Sequence, residues 1–243
     1  ILQARGDLDG AMALHKEKER ICRKLGDLDG LQRSLGNQAV ILKDRGDLDR
    51  ALALHKEEER ICRQLGDLDG LSASLGNQAL ILQDRGDLDG AMALHKEEER
   101  ICRQLGNLAG LSMSLGNQAP ILYARGDLNG ALALLKEQER ICRQLGDPAG
   151  LQASLGNQGN ILKERGDLDG ALALHKEQER ICRQLGNSQG LAISLVNQAA
   201  ILNYQGKRPQ ALQTARQALE LARKSGYSPL ARQIKGIIRQ IGG

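Results

Sequence analysis

Apolar residues recur along the chain at two alternating helical spacings. In one, Leu71, Leu75, Ala79 and Leu82 stand at i, i+4, i+8 and i+11, a single stripe on a 3.6-residue helix. In the other, Ala91, Leu94, Glu98, Ile101, Cys102 and Leu105 trace a stripe interrupted only by Glu98. The stripes are separated by Gly-Asp-Leu-Asp-Gly, which begins at Gly6, Gly26, Gly66, Gly86 and Gly166, and at Gly46 with Arg50 in its last place. Variants at Gly106, Gly126, Gly146, Gly186 and Gly206 complete a 20-residue beat, and the alternating fillings make the true period 40. The glycine is placed to end one helix in the left-handed conformation, and the Asp or Asn after it to cap the next. Glu99 and Arg103 stand i, i+4 in the stabilising order. The pattern predicts helices over 8–25, 28–45, 48–65, 68–85, 88–105, 108–125, 128–145, 148–165, 168–185, 188–205 and 208–225. A last helix follows Pro229, over 229–241.

Helix, short turn, helix, repeated, is an array of antiparallel helix pairs. The fold class expected is all-α, a right-handed superhelical solenoid. Residues 1–27 read as a partial repeat cut from a longer regulatory protein, 28–227 as five helix pairs, and 228–243 as a capping helix. Composition agrees. Three Tyr are the only aromatics, and no Phe or Trp is present. The core must therefore be aliphatic and spread over many similar layers. No β-branched run suggests a sheet, and no stretch approaches about 18 apolar residues, so no membrane span is expected.

The net charge of +4 conceals an asymmetry. Of 34 Lys and Arg and 30 Asp and Glu, residues 201–243 hold eight and one, leaving 26 and 29 to the first 200. A uniformly basic nucleic-acid surface is thus not expected. The basic tail reads as the solvated face of a capping helix, or as a surface for phosphate or an acidic partner.

The repeats resemble the tetratricopeptide repeat family. Its pattern falls on Leu75, Asn77, Gln78-Ala79, Leu82, Gly86, Ala91 and His95, and the last full repeat, with Gly206, Ala211, Ala215 and Ala218, is closer to the ordinary spelling. Gln stands where the family has Leu, aliphatics replace its aromatics, and six extra residues after Ala91 lengthen the second helix. Such 40-residue versions are similar to those of polarity adaptors and bacterial multidomain regulators. The resemblance implies that first helices line a concave groove holding a protein or peptide segment.

Near-identical repeats also permit an internal comparison. Across the best four copies the first helix varies at Gln32/Ser72/Ser112/Gln152, at Arg33/Ala73/Met113/Ala153, at Val40/Leu80/Pro120/Asn160, at Lys43/Gln83/Tyr123/Lys163 and at Asp44/Asp84/Ala124/Glu164. The last four sets lie at i, i+7, i+10 and i+11, one helical face. Ile193, Asn203 and Tyr204 continue it. A face that merely meets solvent would vary too, but would not be expected to collect Met113, Pro120 and Tyr123. The resemblance makes this strip the groove surface. Pro120, in mid-helix, predicts a kink or a freed carbonyl at Gly116.

Other signals carry less. Cys22, Cys62, Cys102, Cys142 and Cys182 recur at the repeat spacing, too far apart in a stack for disulfides, and read as small buried hydrophobes. Unpaired thiols point to a reducing, cytoplasmic location. His15, His55, His95 and His175 share their register with Leu135, which marks it as a packing position. The Asp-Leu-Asp-Gly turns lack the later acids of a calcium loop. The chaperone-tail clamp of some family members needs basic residues where Gly36, Gly76, Gly116 and Gly156 stand; only Asn37, Asn77, Asn117 and Asn157 match it. No phosphate loop, zinc spacing or nucleophile–base pattern is present, so no cofactor, metal or enzymatic activity is expected. A protein-binding module is the leading reading. A self-associating or spacer element, joined end to end, is the alternative.

Overall fold

The computed structural model describes residues 7–242. They form twelve helices and no strand. In chain order these are α1 (Leu8–Leu25), α2 (Leu28–Asp44), α3 (Leu48–Leu65), α4 (Leu68–Asp84), α5 (Leu88–Leu105), α6 (Leu108–Ala124), α7 (Leu128–Leu145), α8 (Pro148–Glu164), α9 (Leu168–Leu185), α10 (Ser188–Tyr204), α11 (Arg208–Lys224) and α12 (Ser228–Gly242). Even-numbered helices up to α10 carry the first spelling, and odd-numbered ones up to α9 the second. The chain divides into two compact units, Ile1–Ile121 and Leu122–Gly243.

The turn chemistry sets the boundaries up to α10. Asp67 Oδ1 accepts from the Gly70 amide at 3.0 Å, closing the first turn of α4. Asp27, Asp87, Asn107, Asp127, Asp147, Asp167 and Asn187 cap their helices in the same way. Such a cap contributes about 1 kcal/mol. The second-type helices end on a left-handed glycine, such as Gly66 at φ 68°. At α11 the beat loses its acid, and Lys207 makes no side-chain cap.

In the first unit each helix packs on its neighbours from α1 to α5, and α2 also touches α4. In the second, the same holds from α7 to α12, with α8 touching α10 and α10 touching α12. The core repeats as one aliphatic layer per step. Ile61 packs with Cys22, Leu31 and Leu35, and Ile101 with Cys62, Leu71 and Leu75. Full burial of one such side chain is worth about 1.5–3 kcal/mol. Leu82 and Leu94 are only half-buried, and Leu105 is exposed, so the outer ends of both predicted stripes lie at the rim.

A polar ladder accompanies the apolar layers. Ser74 Oγ donates to the His55 carbonyl at 2.9 Å, and Gln78 Nε2 donates to Glu59 Oε2 at 2.8 Å. Arg63 bonds the same Glu59 and reaches Glu97, each at 2.9 Å. The Ser and Gln bonds recur from Ser34 and Gln38 to Ser194 and Gln198. This explains why Gln stands in an otherwise aliphatic register. Its amide ties each first helix to the second helix before it.

α6 is a single helix with the exposed Pro120 inside it. Proline has no N–H to offer the Gly116 carbonyl.

Candidate functional site

The variable strip divides by depth. Arg33, Ala73, Met113 and Ile193 are exposed, Met113 by 64%. Val40, Leu80 and Asn160 are half-buried and Pro120 is exposed, and Lys43, Gln83, Lys163 and Asn203 are half-buried. Asp44, Asp84, Tyr123, Glu164 and Tyr204 are exposed, Tyr204 by 71%. In the first unit Arg33 pairs with Asp29 at 3.1 Å, one turn away on its own helix. Gln83 Nε2 donates to the Asn117 carbonyl at 3.2 Å, joining adjacent first-type helices.

In the second unit the strip does converge. Lys163, Glu164 and Tyr204 line a cleft of about 510 Å³ together with Gly166 and Leu168. Tyr123 Oη donates to Glu164 Oε1. That hydrogen bond raises the phenol above its ordinary pKa, with partial burial adding to the effect. The cleft therefore offers an amphipathic ring, an ammonium, a carboxylate and an apolar floor, a mixture suited to binding a polypeptide segment. Ile193 and Asn203 are not among its lining residues. Gly166 and Leu168 belong to the invariant turn, so comparing the repeats could not single them out.

The fifth variable position has a different use. Gln32 is 2% exposed, and its Nε2 donates to the capping Asp67 at 2.6 Å while its Oε1 accepts from the Cys62 thiol at 2.5 Å. Cys182 donates likewise to Gln152 at 2.6 Å. All five cysteines are buried and none forms a disulfide. Burial, reinforced by Glu58 and Asp67, pushes the Cys62 thiol up to about 12. Such a thiol is no nucleophile at neutral pH.

His55, His95 and His175 are packing residues whose rings make one polar contact each. His55 and His95 are fully buried, and their Nδ1 atoms lie 2.7 and 2.8 Å from Glu58 and Glu98; Nδ1 of His175 lies 3.0 Å from Gln178 Oε1. Each leaves a buried Nε2 without a partner. Burial holds the His175 pKa below its ordinary value, and nearby Lys163 lowers it further. Among the described residues no group of three or more His, Cys, Asp or Glu could hold a metal ion.

Comparison with known proteins places this geometry. A tetratricopeptide repeat profile matches residues 150–224, and another matches residues 32–54. The chain is a tetratricopeptide repeat protein. No curated protein sequence matches it. Its fold is similar to that of BtubC from P. vanneervenii, with 18% identity, TM-score 0.79, and coverage of 90% of this chain and 92% of that one. It is also similar to a signal-transduction ATPase with a tetratricopeptide repeat sensor from Pyrococcus horikoshii. There the identity is 17% and the TM-score 0.75, over 90% of this chain and 33% of that one. A Podospora anserina kinesin light chain-like protein with nearly identical repeats matches at 19% identity and TM-score 0.65, over 81% and 96% of the two chains. Such a tetratricopeptide array is a repeat scaffold for protein interaction, and among its described residues no helix is long and apolar enough to cross a membrane.

Proposed function

We propose that this repeat scaffold binds a peptide or protein segment on the variable face of its first-type helices, with the cleft at Lys163, Glu164 and Tyr204 as an anchor. The single observation that carries the reading is Tyr204, 71% exposed and lining a cleft of about 510 Å³ beside a lysine and a carboxylate. A large amphipathic ring left in water on an otherwise aromatic-poor protein is the kind of group that dominates contact energies. The reading describes a binding element of a regulatory protein, not a catalyst. The five cysteines, none of them in a disulfide, support a reducing, cytoplasmic setting.

Affinity capture with the wild-type chain, a Tyr204→Ala variant and a Tyr123→Ala variant tests this. Loss of a specific partner from Tyr204→Ala, with unchanged helicity and monomer size, is expected. Identical partner sets for all three proteins would refute the anchor. A change of oligomeric state instead would favour the spacer reading.

A further inference from the structure

The turn after a first-type helix is tied back to the start of the second-type helix before it. In the first unit Arg45 reaches Asp9 at 2.5 Å and Arg85 reaches Asp49 at 2.7 Å. In the second, Gln205 Nε2 donates to Asp169 at 2.8 Å. Each of these links spans 36 residues. The same spacing carries Arg165 to position 129, where the chain has Asn in place of the acid. Arg165 is exposed, and its side chain makes no hydrogen bond or ion pair among the described residues.

This bare guanidinium stands at the end of α8, next to the residues that line the cleft. The polar groups around it are unevenly engaged. Glu164 accepts from Tyr123, Asp167 from the Gly170 amide at 2.9 Å, and Asp169 from Gln205. Lys163, inside the cleft, is like Arg165 without a side-chain hydrogen bond or ion pair among the described residues. The acids are occupied and two cations are not. At the end of α4 the balance is reversed. There Gln83 donates to the Asn117 carbonyl, Arg85 is held by Asp49, and the group left over is the Asp84 carboxylate. A segment laid over the end of α8 therefore meets surplus donors. Covering an ammonium and a guanidinium with neutral groups would remove their water without replacing it, which is costly.

We propose that the end of α8 selects an acidic polypeptide segment, with one Asp or Glu side chain set on Lys163 in the cleft and another on Arg165 at its rim. The inference rests on the reading of that cleft as the anchor and adds the chemistry of what is anchored. Charge complementarity names the occupant. Asn129 is the residue that makes the difference. By withholding the carboxylate that Asp9 and Asp49 supply, it leaves the Arg165 guanidinium to the partner. Lys163 and Arg165 lie outside the register of Gly156 and Asn157, so the site is distinct from the tail clamp of some family members.

A phage-displayed library of random dodecapeptides is panned on the immobilised full chain, and the selected peptides are synthesised and titrated by fluorescence anisotropy. Asp and Glu are expected to be enriched about threefold over Lys and Arg. Asn129→Asp, which restores the acid of the other steps, should weaken the selected peptides about fivefold, as should Arg165→Gln and Lys163→Gln. In the Arg165→Gln background, Asn129→Asp should change nothing further. Peptides without an acidic bias, unchanged affinity in Arg165→Gln, or an equal loss from Asn129→Asp with and without Arg165 would overturn the inference. Displacement of the peptides by equimolar oligo(dT) would overturn it in favour of a general polyanion surface. Tyr204→Ala separates the two readings. If the selected peptides still bind that variant, the anchor fails and the inference with it. If they are lost from it but bind the charge variants unchanged, only the acidic segment fails. Recovery of no peptide would overturn both.

Discussion

Gly76→Ala is the most instructive substitution in the stack, because two ordinary rules disagree about it. Alanine in place of a mid-helix glycine should stabilise α4 by about 1 kcal/mol. The new Cβ, however, would stand 2.6 Å from Glu98 Oε1, 3.0 Å from Cδ and 3.2 Å from Oε2. Ordinary contact begins near 3.4 Å, so the carboxylate must retreat by most of an ångström. It is not free to do so. Glu98 is 7% exposed, and its Oε2 is held 2.8 Å from His95 Nδ1. Overpacking costs about 1–3 kcal/mol, and a buried hydrogen bond lost without replacement another 1–3 kcal/mol. Against the propensity gain, the net expectation is a loss of about 1–5 kcal/mol.

The native chain suggests the rescue. Val196, Ala215 and Ala218 occupy the registers of Gly76, His95 and Glu98. The triple variant Gly76→Val, His95→Ala, Glu98→Ala should therefore lose less than the sum of its single changes, with a coupling of about 1–3 kcal/mol. Urea unfolding followed by circular dichroism measures all of these. A Gly76→Ala protein more stable than wild type by the full propensity gain would refute the reasoning, as would strict additivity in the triple variant.

Three further outcomes follow from the same contacts. Pro120→Leu should stabilise the chain by about 2–3 kcal/mol in urea melts, since Leu80 occupies the register in α4 and the helix regains a hydrogen bond. Asp67→Ala should cost about 1–2 kcal/mol, because it removes both the cap on Gly70 and the acceptor for Gln32. Burial lowers the folded pKa of His175, so its contribution is present above the unfolded value near 6.5 and is lost as pH falls from there toward the lowered folded value. His175→Leu, copying Leu135, should make thermal stability less sensitive to pH between 7.5 and 5 (about these limits), and an unchanged slope would contradict that sign.

The fold was legible because one short signal recurs at every boundary up to α10. A left-handed glycine followed by a capping Asp or Asn leaves the chain little choice, and the observed helices end within a residue of those read from the pattern. Exposure along the strip from Arg33 to Tyr204 was also legible, since positions with no repeated contact are free to differ. What could not be read is contact between turns. Gly166 and Leu168 line the cleft, yet they sit in the invariant beat and carry no variation to mark them. Gln32 misled in the opposite direction. It varies among repeats, yet it is buried because its amide bridges Cys62 and Asp67 of the next step. Helical periodicity places a residue on a face but does not say whether that face meets water or a neighbouring cap.

The role of the first-type face as the binding surface is tested most directly by site-specific photo-crosslinking. A benzophenone side chain is placed at Tyr204, on the variable face, and in a second protein at Arg140, exposed on the second-type helix α7. Covalent adducts with one partner segment from position 204, and none from position 140, are the result expected here. Adducts from position 140 with none from 204 would contradict it.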